Sequence, residues 1–101
     1  MATADITILG LRTGPDSHAS EYIAEIQRRL AAQDKVKFQL HGMGTSLQGT
    51  ADDIFALAAE LHKVPLDLGI KRVYTVLKLD DPIDRPDQSL DDKVESVKRR
   101  L

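Results

Sequence analysis

Apolar and polar positions recur along the chain with two alternating periods. Ile6-Thr7-Ile8-Leu9 is a β-branched run closed by Gly10, and Arg12-Thr13-Gly14-Pro15 behind it is turn chemistry, so a strand runs into a loop. Ser17 is placed to cap the next segment, where Ala19, Tyr22, Ile23, Ile26 and Leu30 return at helical spacing with Glu21, Glu25, Arg28 and Arg29 opposite them. Val36 to Leu40 then alternates as a strand with one buried face. A tight turn at His41-Gly42 would pair Leu40 with Met43, Phe38 with Thr45 and Val36 with Leu47 on one side of a hairpin. Thr50-Ala51-Asp52-Asp53 reads as a capping box opening a helix whose buried stripe is Ile54, Leu57, Ala58 and Leu61, with a kink or early end predicted at Pro65 and a stop at Gly69. Arg72 to Leu79 is the fourth strand.

Residues 80–88 form an acidic connection containing Pro82 and Pro86. Ser89 opens a last helix over 89–101, with a narrow stripe of Leu90, Val94, Val97 and Leu101. Two strand-helix-strand halves followed by a helix predict an α+β fold, a ferredoxin-like βαββαβ sandwich with an extra C-terminal helix in one domain spanning 1–101. Two helices cover one face of such a sheet. The other face, with Thr7, Leu9, Lys37, Gln39, Ser46, Gln48, Tyr74, Val76 and Lys78, is predicted to lie open and to offer a partner surface.

Composition narrows the function. The chain has 101 residues, 42% hydrophobic and 30% charged, with a net charge of -2, which argues against a dedicated nucleic-acid binder. It contains no cysteine, so thiolate nucleophiles and thiolate metal sites are absent. Met1 to Asp5 lacks the features of a signal peptide and no apolar run approaches a membrane span, so the expected compartment is the cytoplasm, with no membrane partner.

The uses to which this fold is put can be tested by what is missing. An RNA-reading sheet needs aromatic residues on its two middle strands, where this chain has Thr7, Leu9, Ser46 and Gln48. A metal chaperone needs a cysteine pair. An acylphosphatase-like hydrolase needs an arginine cradle, for which Arg12 could serve, and an asparagine, of which there is none. His18, His41 and His62 lack the spacing of a local metal motif, and Asp80, Asp81, Asp84 and Asp87 lack that of a calcium loop, so neither a metal site nor a catalytic residue is assigned. The segment Gly42-Met43-Gly44-Thr45-Ser46-Leu47-Gln48-Gly49 stands out, because glycines within a strand mark a bulge or a close approach by a ligand or another backbone.

The chain resembles the small thiamine-binding, YkoF-related family of ferredoxin-like proteins. The likeness runs through Ile6 to Leu11 with Thr13-Gly14, Ser20-Glu21-Tyr22-Ile23, Met43-Gly44-Thr45 with Gly49, and Glu60-Leu61-His62. It continues in Gly69-Ile70-Lys71-Arg72-Val73, Asp80-Asp81 and Asp92 to Val97. The chain differs at Gln48, where the family carries an acidic residue, and at Gly42, where it carries a proline. The resemblance implies a non-enzymatic protein that binds thiamine or its hydroxymethylpyrimidine part, as carrier or sensor, with no catalytic cofactor. It also implies a homotetramer, a dimer of dimers. An oligomeric regulatory module for another small metabolite is the alternative.

An aminopyrimidine presents ring-nitrogen acceptors beside an amino donor, and two flat apolar faces. Thr45, Ser20 and Gln48 offer polar partners; Met43, Tyr22 or Phe38 suit the flat faces, with Gly44 beside Met43. Strand alternation sends Thr45 to the helix side and Gln48 to the open side. The site is therefore expected in the crevice between sheet and first helix near Thr45, Met43, Ser20 and Tyr22, with Gln48 serving subunit packing.

Overall fold

The computed structural model describes residues 1–11, 19–84 and 89–101; the Arg12 to Pro15 turn, the Ser17 cap, His18, Pro86 and Asp87 lie outside the described residues. The elements follow in the order β1 (Ala2–Gly10), α1 (Ala19–Ala31), β2 (Lys37–His41), β3 (Gly44–Gly49), α2 (Ala51–His62), α3 (Val64–Asp67), β4 (Val73–Asp80) and α4 (Leu90–Lys98). The four strands form one antiparallel sheet in the order β2-β3-β1-β4. This is the ferredoxin-like α+β architecture.

β1 begins at Ala2, four residues before the β-branched run, because Ala2 and Ala4 are small enough to sit beneath the helices. Its alternate residues Ala2, Ala4, Ile6 and Ile8 join Leu47 of β3, Tyr22, Ile26 and Leu30 of α1, and Ile54, Leu57, Ala58 and Leu61 of α2 in one core. Full burial of a leucine such as Leu47 contributes about 1.5–3 kcal/mol relative to leaving it exposed. The Gln33 side chain closes the α1–β2 connection: its amide donates to the carbonyls of Leu30 (2.9 Å) and Val36 (2.8 Å) and its oxygen accepts from the Val36 N–H (2.9 Å). Backbone groups that the helix end leaves unpaired are thereby satisfied.

Thr50 caps α2, accepting from the Asp53 N–H at 3.1 Å. Pro65 ends that helix early, as its missing N–H dictates, and a single turn, α3, follows with Pro65 buried in its first positions. Gly69 closes this turn at φ +92, and Ile70 N–H reaches back to the Pro65 carbonyl (3.0 Å).

The hairpin differs from expectation. His41 pairs with Gly44, Leu40 with Thr45 and Phe38 with Leu47, so the turn is Gly42-Met43 and the register slides by two residues. An even slip keeps every side chain on its predicted face. Gly44 explains it. A Cβ there would lie 2.7 Å from both the Ile6 carbonyl oxygen and Thr7 Oγ1, so the glycine is needed inside the sheet. Met43 is consequently in the turn and exposed, not in the strand.

The open sheet face is covered at one end. α4, capped by a reciprocal Ser89–Asp92 pair, lays its first turn over Thr3: Lys93 Nζ donates to Thr3 Oγ1 (2.7 Å) and pairs with Asp80, and Leu90 N–H donates to Gln48 Oε1 (3.3 Å). Thr3 is buried by this contact, whereas Leu9, Tyr74 and Val76 at the other end remain exposed.

Candidate ligand-binding site

Where β1 ends and the β2–β3 hairpin turns, the sheet and α1 diverge around a groove of about 370 Å³. That lies within the ~300–1,000 Å³ typical of small-molecule sites. Its walls are Ile6 and Ile8 from β1, Ile23 and Ile26 from α1, and Leu40 from β2. Helical spacing puts Tyr22 and Ile26 over the sheet, and strand alternation puts Ile6 and Ile8 under them.

Three polar groups enter this apolar space. Thr45 Oγ1, 4% exposed as a residue, accepts from Gln27 Nε2 at 3.3 Å. No acceptor for its own hydroxyl hydrogen is found among the described residues. The Tyr22 hydroxyl accepts from the Gly10 N–H at 3.0 Å, which pins the ring against the wall. A Cβ on Gly10 would approach Tyr22 Cε2 to 3.0 Å and Ile70 Cδ1 to 2.8 Å, so glycine lets this ring come so close.

The groove brings together Thr45, Met43, Gly44 and Tyr22 of the residues anticipated from sequence. It does not bring Ser20 or Gln48. Ser20 is exposed on α1, since a helix turns about 100° per residue and positions two apart cannot share a face with Tyr22. Gln48 lies on the opposite side of the sheet, where its oxygen anchors α4. Gln27 was not anticipated. Its place one turn beyond Ile23, on the same side of α1, was the signal that could have found it.

Of the two described histidines, His62 lies away from the groove and His41 borders it. His62 Nδ1 meets Thr75 Oγ1 at 2.6 Å between α2 and β4. His41, at the hairpin tip, pairs through Nε2 with Asp5 at 2.7 Å on the open face.

Comparison with known proteins decides the family. Residues 4–98 match the model of the family described as thiamine-binding protein. The chain belongs to the thiamine-binding protein family. It is 38% identical over its full length to the UPF0045 protein YqgV of Bacillus subtilis, covering 98% of that protein. It is also 38% identical, full length on both sides, to a UPF0045 protein of Methanothermobacter thermautotrophicus. Among solved structures it is similar to a hypothetical protein of Methanocaldococcus jannascii, with a TM-score of 0.80, 26% identity and 96% and 95% of the two chains covered. A Thermotoga maritima protein provisionally described as one of thiamine biosynthesis or salvage shares the fold, with a TM-score of 0.74 at 18% identity over 95% and 97% of the chains. The family thus points to a thiamine-related role. No helix among the described residues of this family member is long and apolar enough to cross a membrane.

Proposed function

We propose that this protein binds thiamine, or its hydroxymethylpyrimidine part, in the groove between α1 and the sheet, and releases it unchanged. The observation that carries the reading is the Thr45–Gln27 pair on an otherwise apolar floor. The Thr45 hydroxyl can donate to a pyrimidine ring nitrogen while the Gln27 side-chain oxygen accepts from the neighbouring amino group. Isoleucine side chains take the flat faces, and the Tyr22 ring offers its π-face to the thiazolium cation.

The lining of the groove does not suit catalysis. Among the described groove residues only Tyr22 and His41 carry an ionisable side chain; the Tyr22 hydroxyl is held by the Gly10 N–H, and both nitrogens of the His41 ring have hydrogen-bond partners. General acid–base chemistry requires a titratable group free to reach the ligand. In this proposal the protein acts as a carrier or sensor in the cytoplasm, as a homotetramer.

Calorimetry with thiamine, hydroxymethylpyrimidine and a panel of amino acids tests it. Thiamine and the pyrimidine should bind, and Thr45→Val should weaken both by about 1–3 kcal/mol, by stranding a buried ligand nitrogen. Gln48→Ala should change affinity much less. Binding of an amino acid alone would favour a regulatory module for another metabolite. An unaffected Thr45→Val with a crippled Gln48→Ala would move the site to the open sheet face.

A further inference from the structure

His41 borders two cavities: the groove, and a shallow one on the open sheet face shared with Asp5, Ser46, Lys78, Asp80 and Lys93. Its ring reaches in two directions. Nε2 lies 2.7 Å from Asp5 Oδ1, and Nδ1 lies 3.2 Å from the Met43 nitrogen, whose N–H donates to it. The other end of the same turn is held by Thr7 Oγ1, which donates to the Met43 carbonyl at 2.9 Å. Both polar ends of the Met43 residue are thus tied down by side chains from the open face, while Met43 itself forms the lip of the groove.

We propose that His41 is a proton-sensitive clasp that positions the groove lip: the neutral ring holds Met43, and the imidazolium releases it. This rests on the reading of the groove as the ligand site. Only one tautomer satisfies the geometry. Nδ1 must be bare to accept from Met43, so Nε2 carries the hydrogen donated to Asp5. Protonation at Nδ1 would set two donors against each other at 3.2 Å. The Asp5 carboxylate would keep the charged ring in place, so the broken contact would be the one to the lip. The charged groups that share the shallow cavity with the ring are Asp5 on β1, Lys78 and Asp80 on β4 and Lys93 on α4; Lys93 is paired with Asp80, and Asp5 is the anion bonded to the imidazole. An asparagine at this position would supply its Oδ1 to the N–H two residues on, as in an Asx-turn.

The test is read first on the ligand-free protein, because an aminopyrimidine takes up a proton of its own in acid. The chain has two methionines, so the Met43 methyl resonance is simple to assign against Met1. Nitrogen NMR of the His41 ring at neutral pH should show a bare Nδ1 and a protonated Nε2. The Met43 methyl and amide signals should move with the same titration curve as the His41 ring. His41→Phe should abolish that titration and free the lip at every pH, and His41→Asn should hold it at every pH. In binding, His41→Phe should weaken thiamine about fivefold, the typical net value of one hydrogen bond, and His41→Asn should restore it. A proton on Nδ1 at neutral pH, or a Met43 signal indifferent to the His41 titration, overturns the clasp. If the wild-type protein binds no pyrimidine, the groove reading fails instead, and the ring and methyl spectra still decide the clasp.

Discussion

Glu25, on the outer face of α1, accepts from Arg28 Nε at 2.7 Å and Arg29 Nε at 3.3 Å. These hydrogen bonds, Arg28's first, hold its carboxyl below the ordinary value of 4.5. A carboxylate lowered in the folded state stabilises fully above that ordinary value, and the contribution fades as pH falls through the lowered one. Glu25→Gln should therefore lower the melting temperature slightly at neutral pH. The gap from wild type should close as the pH is taken below 4.5, when melting curves are recorded from pH 7 to 3. Screening keeps the effect small, and added salt should shrink it. At this same scale the site was partly legible. Alternation alone placed Thr45 on the helix side and Gln48 on the other, because a strand's period leaves no choice. Ser20 and Gln27 were not legible from residue type, since either polar side chain could face water or the groove until the rotation of the helix against the sheet is known.

Elements were read more surely than their junctions. Helical and strand periods fixed α1, α2 and β4 to within about two residues, and the Ser89 cap and Pro65 break are local chemistry that any fold would respect. The hairpin turn was misplaced because two registers, two residues apart, put the same side chains on the same face. Contact with a third strand decides between them. Gly44 rests against the Ile6 carbonyl of β1, and no reading of β2 and β3 alone contains that contact. Gly44→Ala should consequently cost about 1–3 kcal/mol in denaturant unfolding, the usual penalty of overpacking. It should also disturb the Thr7–Met43 bond beside it. Gly42→Ala is the control. A Cβ at Gly42 meets nothing within 4 Å and its φ is not positive, so that variant should stay within about 0.5 kcal/mol of wild type. Equal losses from the two would mean that turn flexibility, not the close approach to β1, sets the register.

At the scale of the molecule, α4 is the feature that one chain leaves incomplete. Its first turn is fastened to Thr3, Gln48 and Asp80, but beyond Lys93 its apolar stripe turns to solvent: Val94 is 51% exposed, Val97 59% and Leu101 98%. The radius of gyration is 15.0 Å, against about 13 Å for a compact chain of this length, as a projecting element requires. Leu9, Tyr74 and Val76 add exposed apolar area on the same open face of the sheet. Water contact on such a stripe forgoes roughly 25 cal/mol for each Å² that a partner could bury, and a marginal domain gains from recovering it. A second copy of the chain, in the proposed assembly, would cover it. Light scattering coupled to gel filtration at micromolar concentration should then give a multiple of the single-chain mass. Val94→Asp with Val97→Asp should lower that multiple without altering the far-ultraviolet dichroism of the sheet and first two helices. Both substitutions lie clear of the groove, so thiamine affinity measured per chain should survive them. A wild-type particle of single-chain mass would mean that the stripe stays bare and the assembly does not form.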